Sequence, residues 1–302
     1  MSARRPNLLV IITDQQRADT LDPDGDCLTP NLQGLAAQGA RFERAYATNP
    51  ICSPSRASFF TGHMPHSHGV TDVTHAVEAP LAQLKEDLPL WPQILANRGY
   101  RGAYFGKWHV ERSEGLQRFG FEEFQLDMRL VGVQEYGRPV TEGGTVSGSG
   151  YRDFLRAGLS DEPDDAWPEV QLFDRGSEFI RAAAGTQDPW MLVIGTEAPH
   201  DPYIAPRRLY DRYDPQALSP PASRSDPMLD KPAVYRRMRE VWSDLQPQEH
   251  ARALACYYAL CSLLDEQVGR ILGVLRETGQ EEDTFVLFTS DHGDYLGAHG
   301  LY

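Results

Sequence analysis

Residues 51–62 concentrate reactive side chains next to an apolar patch. Cys52 supplies a thiol, Ser53 and Ser55 supply hydroxyls, and Arg56 supplies a guanidinium within five residues. We predict a short loop that enters a helix, with Cys52 at or just before the first turn. Free backbone N–H groups and the helix dipole favour negative charge at such a position. Because Arg56 falls one turn along the same face, a nucleophile and a fixed cation would lie together at an anion-binding helix end.

Four further polar clusters stand directly after predicted strands. They are Asp14-Gln15, Lys107-Trp108-His109, His200 and Asp291-His292. Because the carboxyl ends of parallel strands meet at one edge of a sheet, we expect these clusters to converge. Two carboxylates, an imidazole and an amide oxygen would form a mixed oxygen and nitrogen site for a divalent cation. Each residue by itself is more typical of a turn, a helix cap or a satisfied histidine, so only their joint placement favours a site.

Alternating strand and helix patterns predict how these residues are held. Continuously apolar, β-branched runs are typical of strands buried on both faces, and such strands are expected at 8–13, 100–105, 190–195 and 284–290. Apolar residues at helical spacing predict helices at 29–39, 88–97, 170–184 and 250–278. The alternation favours an α/β fold with a mostly parallel central sheet flanked by helices.

The connecting segments carry weaker patterns. We expect an extended piece at 42–46, a loop at 141–150 and irregular structure over 201–235. Residues 112–170 otherwise give no clear pattern. Thr29 is expected to cap the helix that begins after it.

Composition narrows the class of protein. The chain has 302 residues, enough for a sizeable core, and 41% of them are hydrophobic, which excludes general disorder. The net charge of −14 argues against general binding to nucleic acid or to an anionic membrane. The apolar run before Asp14 is too short for a signal peptide or a membrane span, so we expect a soluble, cytoplasmic protein.

The other cysteines and histidines favour structural roles. The four cysteines, Cys27, Cys52, Cys256 and Cys261, fit no zinc motif. Cys256 and Cys261 lie in an apolar helical run, where small buried hydrophobic residues are expected. A second metal site is conceivable from the histidines at 63, 66, 68 and 75, but their place after the Cys52 helix favours a polar turn.

The Cys52 segment resembles a known family signature. Cys52-Ser53-Pro54-Ser55-Arg56, followed by Thr61-Gly62, is similar to the sulfatase motif, in which the cysteine is oxidised to formylglycine. Five other blocks resemble the same family in the right order: 6–17, 29–32, 106–109, 198–200 and 290–293. On this resemblance we expect residues 1–302 to form a sulfatase catalytic domain.

The resemblance implies an alkaline-phosphatase-like fold and one divalent metal. Its ligands would be Asp14, Gln15, Asp291, His292 and the modified Cys52. Many family members have Asp where this chain has Gln15 and Asn where it has His292, and the residues found here resemble those of choline-sulfatase-like enzymes and phosphonate monoester hydrolases. Because the site then has one carboxylate fewer and one imidazole more, Mn²⁺ is as plausible as Ca²⁺. The family's smaller C-terminal subdomain has no counterpart before Tyr302, so we expect a truncated chain whose exposed edges could drive oligomerisation.

The resemblance also implies roles for the remaining residues. A formylglycine hydrate at position 52 would attack the sulfur of a small anionic ester, so a formylglycine-generating enzyme would be needed as a partner. Arg56 and Lys107 would balance charge on the ester oxygens. His109 would assist breakdown of the hemiacetal, and His200 would protonate the leaving oxygen.

Two alternatives stay open. Sulfate and phosphoryl groups are similar in size and geometry, so the same residues could cleave phosphonate monoesters or phosphodiesters. A truncated chain could instead be a non-catalytic domain that binds a metal or an anion, in which case the Cys52 thiol would stay unmodified.

Overall fold

A parallel sheet forms the centre of the computed structural model, which describes residues 5–113, 115–126, 140–146 and 154–302. The strands of these ranges are, in chain order, β1 (Asn7–Thr13), β2 (Arg101–Gly106), β3 (Glu123–Leu126), β4 (Glu142–Val146), β5 (Phe154–Ser160), β6 (Trp190–Gly195), β7 (Tyr203–Pro206) and β8 (Thr284–Ser290). The strands predicted from continuous apolar runs are confirmed as β1, β2, β6 and β8, each within one residue of the expected bounds.

The central sheet has the strand order β3-β2-β6-β1-β8, and each neighbouring pair in it is parallel. Thr13 at the end of β1 pairs with Ser290 at the end of β8. The next residues, Asp14 and Asp291, therefore leave the sheet side by side. Since β2 and β6 run in the same direction, the segments that follow them emerge at the same edge.

Helices pack on both faces of this sheet. The part of the chain that the structure describes contains α1 (Pro30–Gln38), α2 (Cys52–Thr61), α3 (Pro65–His68), α4 (Trp91–Ala96), α5 (Pro168–Ala183), α6 (Arg207–Tyr210), α7 (Ala233–Val241) and α8 (Pro247–Glu277). The helices predicted at 29–39, 170–184 and 250–278 are confirmed as α1, α5 and α8. The helix expected at 88–97 is the shorter α4, because Leu90 is still extended and Pro92 occupies the first turn.

Both faces of β1, β2 and β6 are buried, which explains their continuously apolar runs. The predicted burial of 284–290 on both faces is wrong, because β8 is an edge strand and Phe285 is 60% exposed. Leu9 and Ile11 of β1 pack in a core cluster with residues of α5 and α8. Val10 and Ile12 pack on the opposite side with Phe60 of α2. The expected α/β architecture, a mostly parallel sheet flanked by helices, is thus confirmed.

A second, smaller sheet lies beside the first. It has the order β4-β5-β7, with β4 antiparallel to β5 and β5 parallel to β7. The 31-residue α8 packs against it through Tyr257 and against the central sheet through Ile271. One helix therefore links the two sheets.

Several local predictions are wrong, for identifiable reasons. Residues 42–46 form no strand, and Phe42 and Tyr46 are exposed side chains without a sheet partner. The loop expected at 141–150 contains β4, while residues 147–150 lie outside the described ranges. The region 201–235 contains β7, α6 and the start of α7. The pairing of β5 with β7 joins distant segments, so local patterns do not reveal it.

Two predictions about single residues have different outcomes. Thr29 does not cap α1, because its hydroxyl donates to the carbonyl of Thr20 at 2.9 Å. Cys256 and Cys261 are buried without a disulfide, as expected, and so are Cys27 and Cys52. Within the described ranges, none of the helices combines the length and apolar character that a membrane crossing requires.

Candidate active site

Cys52 is the first residue of α2, as predicted. Ile51 before it is extended, with φ −130° and ψ 138°. The helix ends at Gly62, whose left-handed φ of 70° suits a glycine. Ala57 and Phe60 anchor the helix in the core, and this anchoring fixes the depth at which Cys52 meets the strand ends.

Arg56 is completely buried and links the two carboxylates of the site. Its Nε donates to Oδ2 of Asp291 at 2.7 Å, and its Nη2 lies 3.4 Å from Oδ2 of Asp14. Its Nη1 donates to the carbonyl of Lys107 at 2.7 Å. An arginine suits this position because its planar fork reaches several acceptors and stays charged.

Four side chains bring possible metal ligands together. The ligand atoms of Asp14, Cys52, Asp291 and His292 all lie within 4.8 Å of one another. Oδ1 of Asp14 is 3.6 Å from Sγ of Cys52 and 3.7 Å from Nε2 of His292. Nε2 of His292 is also 3.3 Å from Sγ of Cys52 and 3.7 Å from Oδ1 of Asp291. We refer to these four residues as the acidic group.

The chemistry of the acidic group fits a divalent cation. Burial and the neighbouring Asp14 charge raise the pKa of Asp291, because two carboxylates share one buried site. A divalent cation would compensate both carboxylates and accept an imidazole nitrogen as a further ligand. Nδ1 of His292 lies 2.8 Å from the carbonyl of Gly293, which leaves Nε2 for a cation.

Gln15 lies beside the acidic group, as expected. Its backbone is left-handed, with φ 65°, which is uncommon for a residue with a Cβ. Its main-chain N–H donates to Oδ1 of Asp291 at 3.1 Å. Its side-chain Nε2 donates to Asp201 at 3.3 Å and to Asp294. Its role as a metal ligand stays a prediction.

Lys107 follows β2 and reaches the same carboxylate as Arg56. Its Nζ lies 2.7 Å from Oδ2 of Asp14. Burial disfavours its charge, but the Asp14 carboxylate outweighs burial and raises the pKa of Lys107. The strand ends can close here because Gly195 lacks a side chain: a Cβ there would lie 2.6 Å from the Lys107 carbonyl and 2.6 Å from the Tyr104 hydroxyl.

His200 lies against Cys52. Its Nδ1 is 2.6 Å from the carbonyl of Asp201, and its ring lies close to the Cys52 thiol. Burial disfavours the imidazolium, but the Cys52 contact and the Asp14 charge outweigh burial and raise the pKa of His200 to about 10. Burial and Asp14 also raise the pKa of the Cys52 thiol. The arrangement therefore pairs a protonated imidazole with a protonated thiol.

His109 has the opposite protonation preference. Burial and the charges of Lys107 and Arg56 lower the pKa of His109 to about 2, so its ring is neutral. Its Nε2 lies 3.2 Å from Nδ1 of His75, and the two rings stack with centroids 5.3 Å apart. Its Nδ1 is buried without a hydrogen-bond partner.

The structure adds three residues that the sequence patterns do not place in the site. Asp201 and Asp294 stand one and two residues after predicted site positions, and that proximity is the available signal. His75 is expected from the sequence only among the histidines that follow the Cys52 helix. Of the histidines at 63, 66, 68 and 75, His66 and His68 lie in α3 rather than in the expected turn. Among the described residues, none of the four belongs to a potential metal group.

Comparison with known proteins agrees with this geometry. The family model described as Sulfatase matches residues 6–302. A choline-sulfatase of Rhizobium meliloti (strain 1021) is 30% identical, and the matched region covers 100% of this chain and 60% of that protein. An arylsulfatase of Klebsiella aerogenes is 26% identical, over 96% of this chain and 66% of the relative. The chain spans about 60% of the length of the first curated relatives that it matches.

Solved structures show the same fold. A phosphonate monoester hydrolase of Agrobacterium radiobacter superimposes with a TM-score of 0.76 at 22% identity, over 98% of this chain and 64% of that one. A phosphonate monoester hydrolase from Silicibacter pomeroyi superimposes with a TM-score of 0.76 at 25% identity, again over 98% of this chain and 64% of that one. The expected alkaline-phosphatase-like architecture is thus confirmed, and the chain belongs to the sulfatase family.

Proposed function

We propose that the chain carries the catalytic centre of a sulfuric ester hydrolase that cleaves small anionic sulfate monoesters. One observation carries the proposal: Cys52 lies at a helix start within 4.8 Å of the potential ligand atoms of Asp14, Asp291 and His292. The names of the curated relatives, choline-sulfatase and arylsulfatase, support the substrate class.

Cys52 is better suited to be a precursor than a nucleophile. Burial and the Asp14 charge raise the pKa of its thiol, so little thiolate is present at neutral pH. We propose that a formylglycine-generating enzyme oxidises it. Formylglycine in its hydrated form supplies an oxygen nucleophile at this position.

The acidic group would hold one divalent cation, with Gln15 as an additional ligand. The cation, Ca²⁺ or Mn²⁺, supplies Lewis acidity that balances charge on the ester and activates an oxygen nucleophile. Arg56 keeps the two carboxylates at a fixed separation, since it donates to both. Lys107 lies on the same carboxylate and would orient the ester oxygens by its positive charge.

His200 would protonate the leaving oxygen. Its Nδ1 is engaged by the Asp201 carbonyl, so Nε2 is the atom that carries the transferable proton. With Cys52 unmodified the pKa of His200 is about 10, and the Asp14 carboxylate, which stays in place when Cys52 is oxidised, continues to favour the protonated ring. His109 stays neutral, because a pKa of about 2 makes full protonation unfavourable, and its unprotonated ring nitrogen would assist the release of sulfate by accepting a hydrogen bond.

A second candidate function is hydrolysis of phosphonate monoesters or phosphodiesters by the same residues. It is favoured by the fold similarity to the Silicibacter pomeroyi phosphonate monoester hydrolase, with a TM-score of 0.76 at 25% identity. The leaving-group pocket decides between the two functions, because sulfate and phosphoryl groups are so alike.

A substrate panel tests both functions. The chain, produced together with a formylglycine-generating enzyme, is assayed with an aryl sulfate, choline sulfate and a phenyl phosphonate monoester. We expect the highest kcat/KM for a sulfate ester. A higher value for the phosphonate would favour the second candidate. An unmodified Cys52 thiol together with no turnover of any substrate would favour a non-catalytic domain that binds a metal or an anion.

A further inference from the structure

The side-chain amide of Gln15 has two chemically different ends. Its oxygen can bind a cation, whereas its NH₂ group can only donate hydrogen bonds. In the structure Nε2 donates to Oδ1 of Asp201 at 3.3 Å and to Oδ2 of Asp294. A carboxylate accepts from N–H and repels an amide oxygen, so these contacts decide which end of the amide faces the two carboxylates.

The backbone of Gln15 is held from the other side. Its carbonyl accepts from the Tyr257 hydroxyl at 2.7 Å, and that hydroxyl accepts from the main-chain N–H of Arg17 at 2.8 Å. The main-chain N–H of Gln15 donates to Asp291. These bonds hold the left-handed conformation, which costs free energy for a residue with a Cβ. The starting point of the side chain is therefore fixed.

Both carboxylates that hold Nε2 are themselves fixed. Oδ1 of Asp294 accepts from the main-chain N–H of Leu296 at 2.6 Å, and its Oδ2 accepts from the Tyr203 hydroxyl. Oδ2 of Asp201 lies 3.4 Å from Nη1 of Arg156. Arg156 also donates to the Tyr203 hydroxyl at 2.9 Å. The carboxylates thus form a supported frame for the Gln15 amide.

We propose that Asp201 and Asp294 are positioning residues of the metal centre: they bind Nε2 of Gln15 and so present its Oε1 to the cation of the acidic group. This inference rests on the proposed function, since it requires a cation there. It also explains why position 15 carries an amide in this chain. A carboxylate at this position would face two other carboxylates.

A double-mutant cycle tests the inference by Mn²⁺ affinity, measured by calorimetry and by electron paramagnetic resonance. In Asp294→Asn the Leu296 N–H keeps the remaining oxygen at the Oδ1 position, so the new NH₂ group faces Nε2 of Gln15 and should weaken Mn²⁺ binding about 10- to 100-fold. In a Gln15→Ala background the same substitution should change the affinity less than about twofold, because Asp294 then has no amide to hold. Equal factors in both backgrounds would overturn the inference, since Asp294 would then act through its charge alone.

Three further variants keep the test decisive. Asp174→Asn on α5 makes the same chemical change at an exposed position and should leave the affinity unchanged. Gln15→Glu should weaken Mn²⁺ binding, and the reciprocal pair Gln15→Glu with Asp294→Asn should recover part of it. No recovery would contradict the inference. Should Asp294→Asn fail to fold in thermal unfolding, Asp201→Asn replaces it in the same cycle.

The outcome separates this inference from the proposed function. A wild-type chain that binds no Mn²⁺ or Ca²⁺ would contradict the proposed metal centre itself. A wild-type chain that binds Mn²⁺ while the cycle is additive would contradict only the positioning role.

Discussion

Nε of Arg56 lies 2.7 Å from Oδ2 of Asp291, in an ion pair whose two side chains are both 0% exposed. The pair joins the second turn of α2 to the residue that follows β8. Because Arg56 also contacts Asp14, one guanidinium fixes two strand ends against the helix that carries Cys52. The signature arginine therefore has a structural task in addition to any contact with substrate.

Replacement of Arg56 should be severely destabilising. Arg56→Met leaves two buried carboxylates without their shared partner, and we expect a loss of about 3–5 kcal/mol in the free energy of unfolding, measured with urea in EDTA. Arg175→Met is the matched control, because Arg175 and Glu178 form an exposed ion pair on α5. This substitution should lower the free energy of unfolding by less than about 1 kcal/mol. Similar losses for the two variants would contradict the structural task of Arg56.

Gly195 should tolerate no side chain. In Gly195→Ala the new Cβ would lie 2.6 Å from the Lys107 carbonyl and 2.6 Å from the Tyr104 hydroxyl, so we expect about 1–3 kcal/mol of destabilisation by denaturant titration. Gly34→Ala in α1 meets nothing within 4 Å and should stabilise the chain by about 0.5–1 kcal/mol. If both variants changed the free energy of unfolding in the same direction, this result would argue against the close approach of β2 and β6.

The effect of replacing His200 on kcat/KM should depend on the leaving group of the ester. His200→Gln removes the proton donor, so kcat/KM for an alkyl sulfate, whose alkoxide leaves poorly, should fall about 10²- to 10⁴-fold. An aryl sulfate with a nitrophenolate leaving group needs little protonation and should lose much less. Steady-state kinetics on both esters provides the comparison, and equal losses would assign His200 a different role.

His250 should make the stability depend on pH. Burial and the charges of Arg224 and Arg156 lower the pKa of His250 to about 4, below the usual value of 6.5. The unfolded state therefore binds more protons between these values, so stability is lost as the pH falls through this window, by at most about 1.4 kcal/mol per pH unit. His250→Gln should show a correspondingly smaller slope between pH 4 and 6.5 in urea titrations. An unchanged slope would contradict the lowered pKa.

The central sheet and the core of the site are predictable from the sequence because their signals are local. Strands buried on both faces read as continuous apolar runs, and parallel strands bring the residues after them to one edge. This reasoning predicts that Asp14 and Asp291 lie close together, and the pairing of Thr13 with Ser290 is its physical basis.

The surroundings of the site are not predictable in the same way. β5 pairs with β4, which is close in sequence, and with β7, which is distant, and none of the three strands shows a strong local pattern. Asp201 and Asp294 acquire their task only through contacts with Gln15, which is 186 and 279 residues away in sequence. His75 meets His109 through the fold of the segment after α3. Such roles depend on tertiary contacts that residue types alone do not specify.

The central claim is that Cys52 acts through its oxidised form, and intact-mass spectrometry of the chain tests it most directly. After production with a formylglycine-generating enzyme, the mass should fall by about 18 Da, located to the peptide with Cys52, and aryl sulfate turnover should rise in proportion to the converted fraction. Cys52→Ala should show neither change while it stays folded. A chain with unmodified Cys52 that turns over the ester, or a fully converted chain without activity, would contradict the account.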